Sequence, residues 1–226
     1  MTTKLIIFDF DGTLADSYPW FLTIFQDLAR RYRLPEMGPE DLDRLRALDI
    51  RQILAEYRVP FWKLILIGSH LKRLMSSQID QIRLVNGMQP VLAALHSQGV
   101  RLAVVTSNAE KNVRRVLGPE NMAYFPIIES GVSMFGKKRS FEKVLKRSGV
   151  QAHEALCVGD ELRDLKSARE ARIPFAAVAW GYTAACTLHA HAPDALFEHP
   201  AQILTAVSPP RADASPPLAV PPSAAG

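Results

Sequence analysis

Residues 5–17, LIIFDFDGTLADS, carry an apolar run straight into acids, with Asp9 and Asp11 two positions apart. On an extended strand, side chains two apart share a face, so this pair points into one place. Two close carboxylates repel, and one is driven toward its protonated form unless a cation joins them. The stretch therefore predicts a metal site, a proton-transfer pair, or both. Three more apolar runs end the same way, in polar or acidic residues: VRLAVVTSN (100–108), EALCVGDELRD (154–164) and IPFAAVAWG (173–181). Each is short and bounded by turn signals. Between them lie helix-like patterns, GMQPVLAALHSQG (87–99), RSFEKVLKRS (139–148) and LKSAREARI (165–173). That alternation predicts βαβ units and an α/β fold: a doubly wound, parallel, Rossmann-like sheet with helices on both faces. Ligands of such sheets bind beyond the carboxyl ends of the strands, where these polar clusters fall.

About 70 residues separate the first run from Gly87, far more than a βα crossover needs. Four segments within them have helical periodicity, beginning at Tyr18, Pro39, Asp49 and Phe61. The spacing predicts an inserted helical unit that leaves the sheet just after the acids and returns before the second strand. It would sit over the site as a cap. The expected division is a core of 1–16 and 87–207, a helical cap of 17–86, and a Pro/Ala-rich tail of 208–226 predicted to be disordered.

The 226-residue chain has an ordinary apolar fraction and a formal net charge of +4. Its basic residues are scattered rather than gathered with aromatics, which argues against a nucleic-acid partner. No apolar run approaches the ~20 residues of a membrane helix, and the N-terminal stretch lacks a signal-peptide cleavage pattern. With two cysteines, Cys157 and Cys186, the expected setting is the reducing cytoplasm. His189 and His191 near Cys186 match no zinc spacing and lack a fourth ligand.

DFDGT (9–13, counting from Asp9 as D-F-D-G-T), VTSN (105–108), a later lysine and GDELRD (159–164) occur in that order. Together they resemble the haloacid dehalogenase-like superfamily, and within it the phosphoglycolate phosphatase-like members with a helical cap. The resemblance covers roughly residues 4–207. It implies a phosphatase acting on a small phosphorylated metabolite, with Asp9 as nucleophile forming an aspartyl-phosphate and Asp11 as general acid and base. It implies phosphate contacts from Thr106, Ser107 and Asn108. It also implies a Mg²⁺ site built from Asp9, the Asp11 backbone carbonyl, Asp160 and Asp164, with Glu161 in reach of the metal's surroundings. The family lysine usually precedes a proline; here the segment MFGKKRSF (134–141) offers Lys137, with Lys138 as the alternative. Arg172 stands where the family often has glycine. Asp16 and Ser17 are expected to anchor the loop or cap the first cap helix. Arg46, Arg51, Lys63, His70 and Lys72 are the cap's candidates for contacting substrate. A phosphosugar mutase and a catalytically silent binding module are the competing readings. A dehalogenase, which uses the nucleophile without a metal, has no use for Asp11 and Asp160.

Overall fold

A computed structural model describes residues 3–35, 38–48, 50–133 and 136–207 of the chain, and at some of these the backbone alone. The tail expected to be disordered, 208–226, lies outside the described residues. The first strand, β1 (Leu5–Phe8), is followed by four helices: α1 (Tyr18–Arg31), α2 (Pro39–Leu45), α3 (Ile50–Glu56) and α4 (Phe61–Ser77). Then α5 (Met88–Ser97), β2 (Arg101–Val105), α6 (Glu110–Met122) and β3 (Ile127–Glu129) complete the first half. The second half is α7 (Lys138–Ser148), β4 (Ala155–Gly159), α8 (Leu162–Glu170), β5 (Phe175–Val178), α9 (Ala185–Ala190) and β6 (Ala195–Phe197).

The strands pair in parallel in the order β3-β2-β1-β4-β5-β6. All four strand runs read from the sequence are present. Two strands were not read. β3 and β6 are three residues each, sit at the edges, and are too short to leave a pattern. Alternate residues of each central strand enter two separate cores. Ile6, Phe8, Leu102, Val104, Leu156 and Val158 pack on one face against apolar residues of α1, α5 and α6. Leu5, Ile7, Ala103, Val105, Ala155 and Cys157 pack on the other against α7, α8 and α9. Both faces being covered explains why the strands read as unbroken apolar runs rather than as alternating ones.

This topology fixes where chemistry can occur. From β1 the chain proceeds outward through β2 and β3, and from β4 it proceeds the opposite way through β5 and β6. The switch point lies between β1 and β4, and a crevice opens beyond their carboxyl ends. Asp9 follows β1 and Asp160 follows β4, so both carboxylates border that crevice. The Asp9 amide still donates to Val158 O at 2.9 Å, which carries the β1–β4 pairing one residue into the site.

The outgoing and returning links of the helical segment run side by side. Asp16 N donates to Arg83 O and Val85 N donates to Leu14 O, each at 2.8 Å. A bridge pairs Ala15 with Leu84 antiparallel. The helical segment is thus joined to the core by a narrow two-stranded stem, and Trp20, Ile24 and Leu28 of α1 and Met75 of α4 share the first core cluster.

At the end of α8, Arg172 adopts φ 58°, left-handed backbone that L-residues other than glycine occupy at a cost. Arg172→Gly is expected to stabilise the protein by about 0.5–1 kcal/mol, the relieved strand of strain less glycine's larger unfolded-state entropy. Chemical denaturation checks this; a lower midpoint with unchanged m would contradict it.

Candidate active site

Five segments deliver the site: the turn after β1, the turn after β2, the approach to α7, the β4–α8 junction and the turn after β5. The turn after β1 bends sharply at Gly12, whose φ is +74°. A Cβ there would stand 2.4 Å from Asp160 Oδ2 and 2.7 Å from the Tyr182 ring, so glycine is required by space as well as by backbone conformation. Gly12 N–H donates to Ser17 Oγ at 3.1 Å. Ser17 therefore anchors the loop; it makes no side-chain cap to α1. Asp16 is exposed, and its amide is what ties it to the stem.

Asp9 and Lys137 are the electrostatic centre. Lys137 is 1% exposed, and its Nζ lies 2.7 Å from Asp9 Oδ2 and 2.8 Å from Asp164 Oδ1. Lys138 points away, half exposed and 3.8 Å from Glu142. The two lysines offered by the sequence are thereby separated: Lys137 alone joins the acids. The Lys137 amide donates to Ser167 Oγ of α8 at 3.0 Å, so α8 positions both Asp164 and the lysine that meets it. The other Asp9 oxygen accepts the Phe10 amide at 2.6 Å.

Asp160 is fully buried at the start of the β4–α8 turn. Its Oδ1 accepts from the Thr13 hydroxyl and its Oδ2 from the Tyr182 amide, each at 2.8 Å. Asp9, Asp160 and Asp164 each offer an oxygen within 4.8 Å of the others. Asp164 Oδ2 is buried and has no hydrogen-bond partner among the described residues. Three carboxylates with an orphaned oxygen and a single lysine between them fit a hard divalent cation bound by oxygen. Among the described residues this is the one acidic, histidine or cysteine group close enough to hold an ion. Glu161 turns aside, its carboxylate held by Arg163 at 2.8 Å.

Asp11 lies apart from that trio. Both its oxygens accept from Asn108 Nδ2, at 3.0 and 3.1 Å. Asn108 Oδ1 accepts from its neighbour's amide, Ala109 N, and from Asn112 Nδ2, which also donates to Ser76 Oγ of α4. The Asn108 amide donates to Thr106 Oγ1 at 2.9 Å, closing a tight turn after β2. Thr106 and Asn108 are buried and Ser107 is half-buried, so all three sequence candidates sit at this turn.

Burial and geometry divide the two motif acids. Burial pushes Asp9 up, but the charges of Lys137 and then Arg163 outweigh it and hold the carboxyl below its ordinary value. Burial, and next the charge of Asp9, push Asp11 up to about 7. Burial and the Asp9 charge likewise raise Asp164 to about 7. Asp160 is raised by burial and then by the charges of Glu161 and Asp9, a cluster of acids that a cation would relieve. Near neutral pH the arrangement keeps Asp9 ionised while Asp11 can carry a proton.

Of the cap candidates, Arg46 reaches the core, donating to the carbonyls of Gly181 and Tyr182. His70 instead meets Tyr32 within the helical segment at 3.1 Å. Lys72 lines a shallow cavity of about 420 Å³ with Arg73, Ser76, Ser77 and Lys111. Lys63 is half-buried, and the Arg51 side chain lies outside the described residues. Gly181 and Tyr182 were missed. The signal was available: Gly181 ends the fourth apolar run and Tyr182 follows it, at a carboxyl end that faces the same crevice as the other three.

The chain matches the family described as haloacid dehalogenase-like hydrolase over residues 6–178. It is 30% identical to the phosphoglycolate phosphatase of Synechococcus elongatus, over 91% of this chain and 97% of that one. It is 29% identical to the N-acetylmuramic acid 6-phosphate phosphatase of Pseudomonas aeruginosa, over 90% and 94% of the two chains. The fold is similar to that of a haloacid dehalogenase-like hydrolase from Streptococcus pneumoniae, with a TM-score of 0.68 at 21% identity over 90% of this chain and 97% of that one.

Proposed function

This chain belongs to the haloacid dehalogenase-like hydrolases, and we propose that it is a divalent-cation-dependent phosphatase of small phosphorylated metabolites, working through an aspartyl-phosphate on Asp9. A phosphoric monoester hydrolase is the activity its phosphatase relatives share. The observation that carries the mechanism is how one turn separates two acids: Asp9 is paired with Lys137, whereas both Asp11 oxygens are turned to Asn108.

A phosphate monoester resists attack because its oxygens are anionic and its alkoxide leaves poorly. Asp9 Oδ supplies the nucleophile. Lys137 offsets charge as the carboxylate and phosphoryl group approach. Asp11 gives its proton to the departing oxygen as the ester bond breaks, then takes a proton from the water that attacks the aspartyl-phosphate, which returns Asp9 as a carboxylate and releases phosphate. Thr106, Ser107 and Asn108 are assigned to the phosphoryl oxygens, and Asn108 also fixes the Asp11 carboxyl. Asp9, Asp160 and Asp164 are assigned to hold Mg²⁺, with the Asp11 carbonyl completing the set. When bound, that ion would neutralise phosphoryl charge.

Residues 17–86 are assigned as a cap. Asp9 is 5% exposed, and Met75 Sδ of α4 lies 2.9 Å from Asn108 Nδ2 beside Asp11. A substrate reaches these acids only when the helices swing on their stem, so opening and closing accompany each turnover. Phosphoglycolate is the first substrate to try, because that activity names several relatives.

The expected result is phosphate release from phosphoglycolate or another small monoester, lost on chelation and restored by magnesium. The loss should exceed 10²-fold, the scale of removing a main stabiliser of transition-state charge. A panel of sugar and short-acid phosphates, assayed by released phosphate, checks it. Turnover indifferent to chelation would refute the cation dependence, and none with magnesium on any ester would refute the phosphatase reading.

A further inference from the structure

Arg46 follows α2 in the helical segment, yet its polar contacts lie across the crevice. Its Nη2 donates to Gly181 O at 3.1 Å and its Nε to Tyr182 O at 3.3 Å. The Arg46 carbonyl accepts from Ala184 N at 2.9 Å. Its guanidinium carbon sits 4.8 Å from the centre of the Tyr18 ring on α1. One residue is thus clasped to the 181–184 turn from both its side chain and its backbone.

The far side of that turn faces the carboxylate trio. Tyr182 N donates to Asp160 Oδ2 at 2.8 Å. Gly181 C=O and Tyr182 N–H are the two ends of one planar peptide unit, which turns as a rigid plate. Arg46 holds its oxygen end while Asp160 takes its hydrogen end. The plate lies so close that a Cβ on Gly181 would meet Asp160 Cβ at 2.2 Å. The Tyr182 side chain repeats the link: its hydroxyl is 3.1 Å from Ser17 Oγ, and its ring packs against Tyr18 and Phe21 at 5.2 and 5.7 Å between centres.

We propose that Arg46 is a positioning residue that couples closure of the helical segment to divalent-cation binding through the Gly181–Tyr182 peptide. The inference rests on the metal reading above and concerns no substrate contact. With the helices closed, Arg46 fixes the plate, the plate orients Asp160, and the trio is set for an ion. When the helices swing open Arg46 leaves with them, the plate is free to rotate, and Asp160 loses a donor that holds its oxygen in place. Coupling of this kind is reciprocal, so the cation in turn favours the closed arrangement.

The test uses chelated full-length protein without substrate, titrated with MgCl₂ by calorimetry, for wild type, Arg46→Gln and Arg46→Lys. Arg46→Gln is expected to weaken Mg²⁺ binding about 5- to 50-fold, within the usual span of coupling between sites. Arg46→Lys, which keeps the charge and one donor, should fall between the two. Hydrogen exchange supplies a second readout: Mg²⁺ should slow exchange of 39–45 in wild type and leave it unslowed in Arg46→Gln. Equal Mg²⁺ affinity in wild type and Arg46→Gln overturns the coupling alone. A raised KM with unchanged Mg²⁺ affinity also overturns it, making Arg46 a substrate contact instead. No Mg²⁺ binding by any of the three proteins overturns the metal reading and the coupling together.

Discussion

Asp9→Asn is expected to lose p-nitrophenyl phosphate hydrolysis by on the order of 10⁴-fold or more while the fold stays intact. The amide is the same size as the carboxylate, and its one oxygen can keep one of the two contacts of Asp9, the Phe10 amide or Lys137. What it lacks is the anionic oxygen proposed to attack phosphorus. Replacement also removes the charge that most directly opposes ionisation of Asp11 after burial itself. Circular dichroism and a thermal melt check the fold, and single-turnover assays with radiolabelled phosphate check for the covalent intermediate. Turnover within tenfold of wild type, or a label retained on the protein, would remove Asp9 as nucleophile.

Lys137→Met is expected to cost about 3–5 kcal/mol of stability, the range for breaking a buried pair and leaving its partner charged and unpaired. Here two carboxylates lose one ammonium, since Lys137 meets both Asp9 and Asp164. The pH dependence follows from the sign of the shifts. Lys137 charge is what keeps Asp9 low against burial, and it also draws Asp164 down from where burial puts it. Without it Asp164, already at about 7, rises further and burial drives Asp9 upward, so folding favours the protonated forms. Stability then falls as pH rises through those values, and the deficit should be larger at pH 8 than at pH 5. Urea denaturation at the two pH values measures this. An equal deficit at both would mean that packing of the lysine stem, rather than its charge, holds the site together.

The core was legible because each central strand announces itself twice, by an unbroken apolar run and by the polar residues that end it. LIIF before Asp9, AVV before Thr106 and ALCVG before Asp160 are buried on both faces. The helical insertion was legible from length and period. β3 and β6 were not, because edge strands of three residues leave neither a run nor an alternation. Within the site, Asp9, Asp11 and Asp160 could be placed from their positions at strand ends. Lys137 and Lys138 could not be separated by sequence, since adjacent residues at a helix start differ only in direction; the contacts of Arg46 with the 181–184 turn needed a fold. Tyr182 went unread because its contribution to Asp160 is a main-chain amide, which any residue type supplies.

β1 is one of the two central strands and the first of all to be made. Its partners begin at Arg101 and Ala155, so Leu5 waits for chain synthesised about a hundred and then a hundred and fifty residues later. Loop closure on that scale makes the sheet slow to form compared with a fold of local contacts. A nascent chain that stops before Ala155 has the acid at position 9 but neither β4 nor Asp160, nor Asp164, the lysine's second partner. The carboxylate trio is therefore assembled only after Asp164 has been synthesised, long after Asp9.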